Sequence, residues 1–330
     1  MKVGETMIKT EKELLEFMSN NISYGYLDKY GNVHYPKDKD FNDVWYDLYV
    51  TEEYEDILKT KVGNCFDQTE FERHWFLKNG YEVKTFFEMV VLDYENIYPT
   101  HSFLTYKKND KWYWFENADF NNRGIHEFES LSDLLDYQTS RYKKFLKEEY
   151  KIKDEEIEKI KLFEFDKLKK HPSATEYINH AISGIDILNI HKYVYQDINN
   201  PKYLFHGSPK KLDVIEKRES HDSDGVIENI DNAVFLSSSF INSSAYAFKD
   251  TIKENSHDLH YDFLIDKNNI VFKNVRIPDN LEGYIYIFEY NNSFKNDPKG
   301  SVQYKSYNNL RAKEVLKVKY EDFEKYYKRR

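Results

Sequence analysis

The chain has 330 residues, 40% hydrophobic and 17% aromatic with 29 Tyr and 23 Phe, so it has the apolar material for packed cores and is not a disordered chain. Eleven Gly and seven Pro exclude collagen-like and Gly/Pro low-complexity classes, and a formal net charge of -10 supplies no global basic field for nucleic acid or anionic lipid. One cysteine allows neither an internal disulfide nor a Cys-rich zinc site, and fits a reducing compartment. No apolar run approaches the roughly 18 residues of a transmembrane helix. The start, MKVGETMIKTEKELLEF, turns acidic and amphipathic where a signal peptide needs an apolar stretch. These features predict a soluble, cytoplasmic protein with no nucleic-acid or membrane signal.

In chain order, Leu14, Leu15 and Met18 recur at helical spacing. A turn-rich stretch with Gly25, Gly31 and Pro36 follows, and a helix is predicted over Asp43 to Leu58. Val62-Gly63-Asn64-Cys65-Phe66-Asp67-Gln68 reads as a loop entering a helix, with Asn64 as N-cap and Asp67 three residues on, a capping-box variant. Phe71 and Trp75 share a face of that helix, and Gly80 ends it. Three β-like runs come next, Glu82 to Leu92, His101 to Tyr106 and Lys111 to Phe115, the last two joined by a hairpin turn at Lys107-Lys108-Asn109-Asp110. A helix from Leu131 to Tyr150 runs into mixed charge up to Lys170, read as an exposed helix face, with a strand at Lys161 to Phe165. Ser173-Ala174-Thr175-Glu176 is a capping box that opens a helix ending at Gly184. The pattern then breaks at Asn199-Asn200-Pro201, and short β-like runs dominate to the end, closing on a Lys328-Arg329-Arg330 tail read as frayed. The fold class expected is α+β, with domains over 1–190 and 191–330.

A cysteine at the start of a helix lies where unpaired backbone N–H groups and the helix dipole favour an anion. If the strands bearing His101 and Glu116 are antiparallel neighbours, imidazole can take the thiol proton while the carboxylate fixes its tautomer. Spacing alone favours a buried apolar cysteine beside an ordinary strand histidine, because free cysteine is among the most buried residue types.

The ordered set Gly63-Asn64-Cys65-Phe66-Asp67, Thr100-His101-Ser102-Phe103 and Trp112-Tyr113-Trp114-Phe115-Glu116 resembles the transglutaminase-like superfamily, which shares the papain-type cysteine-protease core. The resemblance spans about residues 40–130. It implies Cys65 as nucleophile, His101 as base and Glu116 as orienting acid, where the family more often has Asp; Asn117 and Asp119 are alternative third members. It further implies an amide hydrolase or acyltransferase acting through an acyl-enzyme on a peptide or protein amide, with no cofactor.

The second half carries Tyr203-Leu204-Phe205-His206-Gly207-Ser208, a β-like run entering a polar turn, then Val234-Phe235-Leu236-Ser237 and Ser243-Ser244-Ala245-Tyr246 on a helix. Glycine permits close backbone approach, His206 can donate a hydrogen bond, and Tyr246 offers an aromatic face for a flat carboxamide ring. Packing is the alternative in a chain this rich in tyrosine. The set resembles the ADP-ribosyltransferase fold of the poly-ADP-ribose polymerase type, over about residues 200–325. By that resemblance His206, Gly207, Ser208, Phe235, Ser243 and Tyr246 would bind NAD or a related nucleotide: His206 on the ribose, the Gly207 backbone on the nicotinamide amide and Tyr246 stacked on its ring. Gln303 stands where the family has its catalytic Glu, and a neutral amide supplies no charge to an oxocarbenium-like centre. Two further readings stay open: an inactive protein that binds a peptide and a nucleotide, or an ADP-ribosyltransferase whose N-terminal domain selects the target. His257-Asp258-Leu259-His260 lacks a third metal ligand and reads as a solvated loop. The sequence has neither a Gly-x-Gly-x-x-Gly nor a Walker motif.

Overall fold

The computed structural model describes residues 8–39, 41, 45–92, 98–169, 171–219, 232–266, 269–297 and 302–330. Asp43, where the second predicted helix begins, Lys170 and the whole MKVGETM segment lie outside the described residues. The chain divides into two compact units, Met1–Asn189 and Ile190–Arg330, and both mix helix with sheet, so the class is α+β.

Local sequence chemistry sets the helix starts of the first unit. Thr10 with Glu13, Asn64 with Asp67 and Ser173 with Glu176 each form a reciprocal capping box that satisfies donors otherwise orphaned at the first turn. The six-stranded sheet is antiparallel throughout, in the order Gly124–Phe128, Lys111–Glu116, His101–Lys108, Glu82–Val90, Ile160–Phe165, Ile185–Asp186. Lys108 pairs with Lys111, leaving a two-residue loop in which Asn109 (φ 51°) and Asp110 (φ 61°) are both left-handed, the conformation that matches strand twist in a tight hairpin. The Cys65–Lys78 helix buries Phe71, Trp75 and Phe76 against Leu104, Tyr106 and Phe115 of that hairpin. At roughly 2 kcal/mol or more per fully buried aromatic, these rings anchor the helix to the sheet. At its other end Phe66 stacks on Tyr177 with ring centroids 4.2 Å apart.

In the second unit the main sheet runs Lys295–Asn296, Gln303–Ser306, Asn232–Ser237, Tyr203–Ser208, Glu282–Glu289, Glu314–Lys319. The Phe240–Asn255 helix lies against it, and two glycines admit that helix: a Cβ on Gly207 would stand 1.9 Å from the Ser243 carbonyl oxygen, and one on Gly283 2.7 Å from that of Ala247.

Four expectations require correction. The Asp43–Leu58 segment is not one helix: Trp45–Leu48 and Tyr54–Thr60 are separate, because Tyr49 and Val50 bridge to Asp28 and Ser173 as extended backbone. The charged run after residue 143 is not a single exposed helix face, since the Leu131–Glu149 helix gives way to Asp154–Ile157 and then to the largely buried Ile160–Phe165 strand. His206, Gly207 and Ser208 lie within the Tyr203–Ser208 strand rather than in a turn beyond it, paired opposite Tyr286, Ile285 and Tyr284. The basic end is ordered: Tyr327–Arg329 forms a strand parallel to Asn269–Lys273, and the Arg330 N–H donates to the Phe272 carbonyl at 3.0 Å. Tyr327 supplies the anchor, since it is buried and shares a 2.6 Å hydrogen bond with the Ser244 hydroxyl.

Candidate active site

Cys65 is the first residue of its helix. The Asn64 side chain caps that turn through the N–H groups of Phe66 (2.8 Å) and Asp67 (3.3 Å). Asp67 returns the bond to the Asn64 N–H at 2.9 Å and also accepts from the Glu52 N–H and the Tyr49 hydroxyl, both at 2.8 Å. Burial pushes the Asp67 carboxyl up to about 8 even against those donors. The helix entry is thus rigidly held, and the Cys65 N–H is among the first-turn donors that have no intrahelical acceptor.

His101 opens its strand and Glu116 closes the neighbouring one, and the antiparallel pairing brings the two together: His101 Nε2 lies 2.9 Å from Glu116 Oε2. Glu116 is 3% exposed and accepts from the Asp119 N–H through its other oxygen at 2.7 Å. Burial disfavours the His101 imidazolium, but the Glu116 charge, the Cys65 interaction and the hydrogen bond to Glu116 outweigh it and raise His101 above the ordinary imidazole range. With Nε2 committed to Glu116, Nδ1 is the ring nitrogen left for the thiol. The structure therefore pairs His101 with Glu116, and Cys65 is close enough to act on the His101 charge. The alternative third members take other partners: Asn117 donates to Gln68 Oε1 at 2.7 Å, and Asp119 accepts from Arg141 at 2.8 Å.

Sequence reasoning missed several neighbours of the thiol. Burial first and the Cys65 interaction second hold the Tyr24 phenol well above the usual range. Its ring meets the exposed Phe120 edge-on at 6.3 Å. Glu72, seven residues beyond Cys65, is a second buried carboxyl held well above the ordinary range by burial and by the Glu116 charge. Glu88 pairs directly opposite His101 across the strands, and burial raises it to about 7 against the opposing charges of Arg141 and His101. The seven-residue interval was readable as a shared helix face, whereas Tyr24 sits in a turn-rich stretch with no periodic signal.

The second unit distributes its candidates differently. His206 Nδ1 donates to the Phe235 carbonyl at 2.8 Å, and burial lowers its pKa. A neutral ring bonded in this way keeps Nε2 as an acceptor, so His206 would accept from a ligand hydroxyl rather than donate to it. Ser243 is buried and its N–H caps back to the Ser239 carbonyl. Tyr246 is 44% exposed on the helical turn that crosses Gly207, with Phe263 edge-on at 5.6 Å. Ser208 Oγ accepts from the Lys210 N–H, and Phe235 pairs opposite Lys305, whose ammonium lies 5.4 Å from its ring centroid. Gln303 pairs opposite Ser237. Glu314 accepts from the Tyr193 hydroxyl at 2.6 Å.

Among the described residues, no group of three or more His, Cys, Asp or Glu could hold a metal ion, and no helix is long and apolar enough to cross a membrane. His257 donates from Nδ1 to the Glu254 carbonyl at 3.1 Å. No protein-family model, no curated protein and no solved structure matches the chain.

Proposed function

We propose that the first unit is a transglutaminase-like cysteine amide hydrolase or acyltransferase, working in a reducing cytoplasm on a peptide or protein amide. The observation that carries this reading is the 2.9 Å His101–Glu116 pair, in a buried cluster where a cysteine at a helix start also acts on the His101 charge. In this scheme His101, whose raised pKa favours the protonated ring, holds the proton that Cys65 gives up, and Sγ attacks the amide carbonyl. The Cys65 N–H, the first-turn donor that the Asn64 cap does not take, faces the developing oxyanion. His101 then hands the proton to the leaving amine, and water or a second amine releases the acyl group from sulfur. Glu116 holds the imidazole in orientation and balances its positive charge.

Intact-mass measurement of the full chain with an activated ester or a glutamine-containing peptide tests the proposal. The expected result is an acyl adduct on Cys65 that decays in water or transfers to an added primary amine, and that Cys65→Ala does not form. Absence of any adduct, with a thiol that is alkylated only after denaturation, rejects it.

For the second unit the proposal is an ADP-ribosyltransferase-like module that binds NAD or a related nucleotide. The residues fit such a ligand in part. Tyr246 offers an exposed ring and His206 an Nε2 acceptor, whereas Ser243 is buried and Gly207 is required for helix packing. Bound there, a nucleotide would be held by Tyr246 stacking and a ribose hydroxyl bonded to His206.

A further inference from the structure

Between the helix of the nucleophile and the strand of the acid lies a pair of amides that the chemistry above does not use. Gln68 is one turn into the Cys65–Lys78 helix and 2% exposed, while Asn117 directly follows Glu116 and is 0% exposed. Asn117 Nδ2 donates to Gln68 Oε1, and Gln68 Nε2 donates to the Gly63 carbonyl, both at 2.7 Å. Gly63 stands two residues before Cys65, and its own N–H donates to the Ser23 carbonyl at 3.1 Å. On the far side, Arg123 grips the Asn117 carbonyl with Nε and Nη2, each at 3.1 Å. An unbroken run of hydrogen bonds thus joins the end of the Glu116 strand to the loop that delivers the thiol.

Packing alone gives little reason for this pair. Two aliphatic side chains would fill the same volume without desolvating two amides. Moreover, Asn117 Oδ1 is buried with no hydrogen-bond partner, an arrangement that ordinarily costs about 1–3 kcal/mol. What a neutral amide pair supplies is directionality whose strength does not depend on the protonation of the neighbouring His101. Separation matters here, because a misplacement of about 1 Å between reacting groups can cost about a hundredfold in rate.

We propose that Gln68 and Asn117 are positioning residues, an amide clamp that fixes the distance from Cys65 to the His101–Glu116 pair. The inference rests on the cysteine-hydrolase reading of that site. Its test uses the full chain with Gln68→Met, which keeps volume and helix propensity but loses both bonds, and with the exchanged pair Gln68→Asn/Asn117→Gln. Two quantities are read: the iodoacetamide rate at Cys65 across pH, and the NMR titration of the His101 ring. The expected result for Gln68→Met is alkylation about tenfold slower, intermediate between an intact and a misplaced site, and a His101 titration shifted toward ordinary imidazole; the exchanged pair recovers both. A Gln68→Met protein that melts lower while its alkylation profile and His101 titration match the wild type overturns the clamp. A wild-type thiol that reacts only after denaturation would instead defeat the hydrolase reading, and the His101 titration would still judge the clamp by itself.

Discussion

The two candidate sites are built on opposite principles. In the first unit Cys65, His101 and Glu116 are drawn from a helix start and two strand ends, and they are committed to one another. In the second, His206, Ser208, Ser243 and Phe235 are committed singly, to a carbonyl, a local N–H, a helix turn and a cross-strand lysine. Buried polar groups ordinarily serve the fold by bonding to backbone. When they bond to each other around a nucleophile, and the imidazole among them is raised as a result, structure alone is a poor explanation. Mutual engagement is what separates the first constellation from the second.

The widest test of that contrast is Gly207→Ala. Its Cβ would meet the Ser243 carbonyl oxygen at 1.9 Å, so the second unit should lose about 3 kcal/mol or more by overpacking, read as a fall in its melting transition. A variant that melts normally yet no longer binds nucleotide would recast Gly207 as a ligand contact. Next comes Asp67→Ala, which strands the Tyr49 hydroxyl and the N–H groups of Glu52 and Asn64. It should cost about 2–3 kcal/mol in denaturant unfolding and loosen the turn beneath Cys65. Tyr246→Ala is a smaller probe: calorimetric NAD affinity should fall severalfold, as expected for losing one ring contact worth about 1 kcal/mol. No heat from NAD or its fragments with the wild type would remove the nucleotide proposal. Gln303→Glu sharpens the same point, since label transfer from NAD in that variant alone would mark a transferase lacking only its carboxylate.

Asp28 gives the mildest effect and serves as a control remote in sequence from the triad. Burial opposes its ionisation, but hydrogen bonds from Asn32, His34 and Tyr30 win and lower its pKa to about 2. A depressed carboxyl stabilises the fold above its unfolded value, ordinarily about 3.9, and that contribution is lost as pH falls through about 2. Asp28→Asn should flatten acid unfolding in that window. His101 has the opposite sign: its raised value stabilises fully below the unfolded imidazole range, and the contribution disappears as pH climbs past the folded value. Acid and alkaline unfolding curves of Asp28→Asn and His101→Ala distinguish the two.

Much of the first site was legible because it is built from local signals. The Asn64–Asp67 capping box located Cys65, and the Asn109–Asp110 turn set the antiparallel pairing that joins His101 to Glu116. Tyr24, Glu88 and the Gln68–Asn117 pair were not legible, since each meets the site through tertiary contacts between residues far apart in sequence, with no shared period. The terminal strand was missed for the same reason: Lys328-Arg329-Arg330 reads as solvated charge until Tyr327 is seen buried against the Phe240–Asn255 helix. The helix packing at Gly207 is not legible either, because glycine in a motif looks the same whether it admits a substrate or a helix backbone.

The most direct measurement is the rate of iodoacetamide modification of Cys65 in the native chain at neutral pH, compared between wild type and His101→Ala. The account expects ready modification of the folded wild type and a rate about a hundredfold lower in the variant, the scale of losing a positioned base. Equal rates in the two proteins, or a thiol that reacts only once the chain is unfolded, would contradict it.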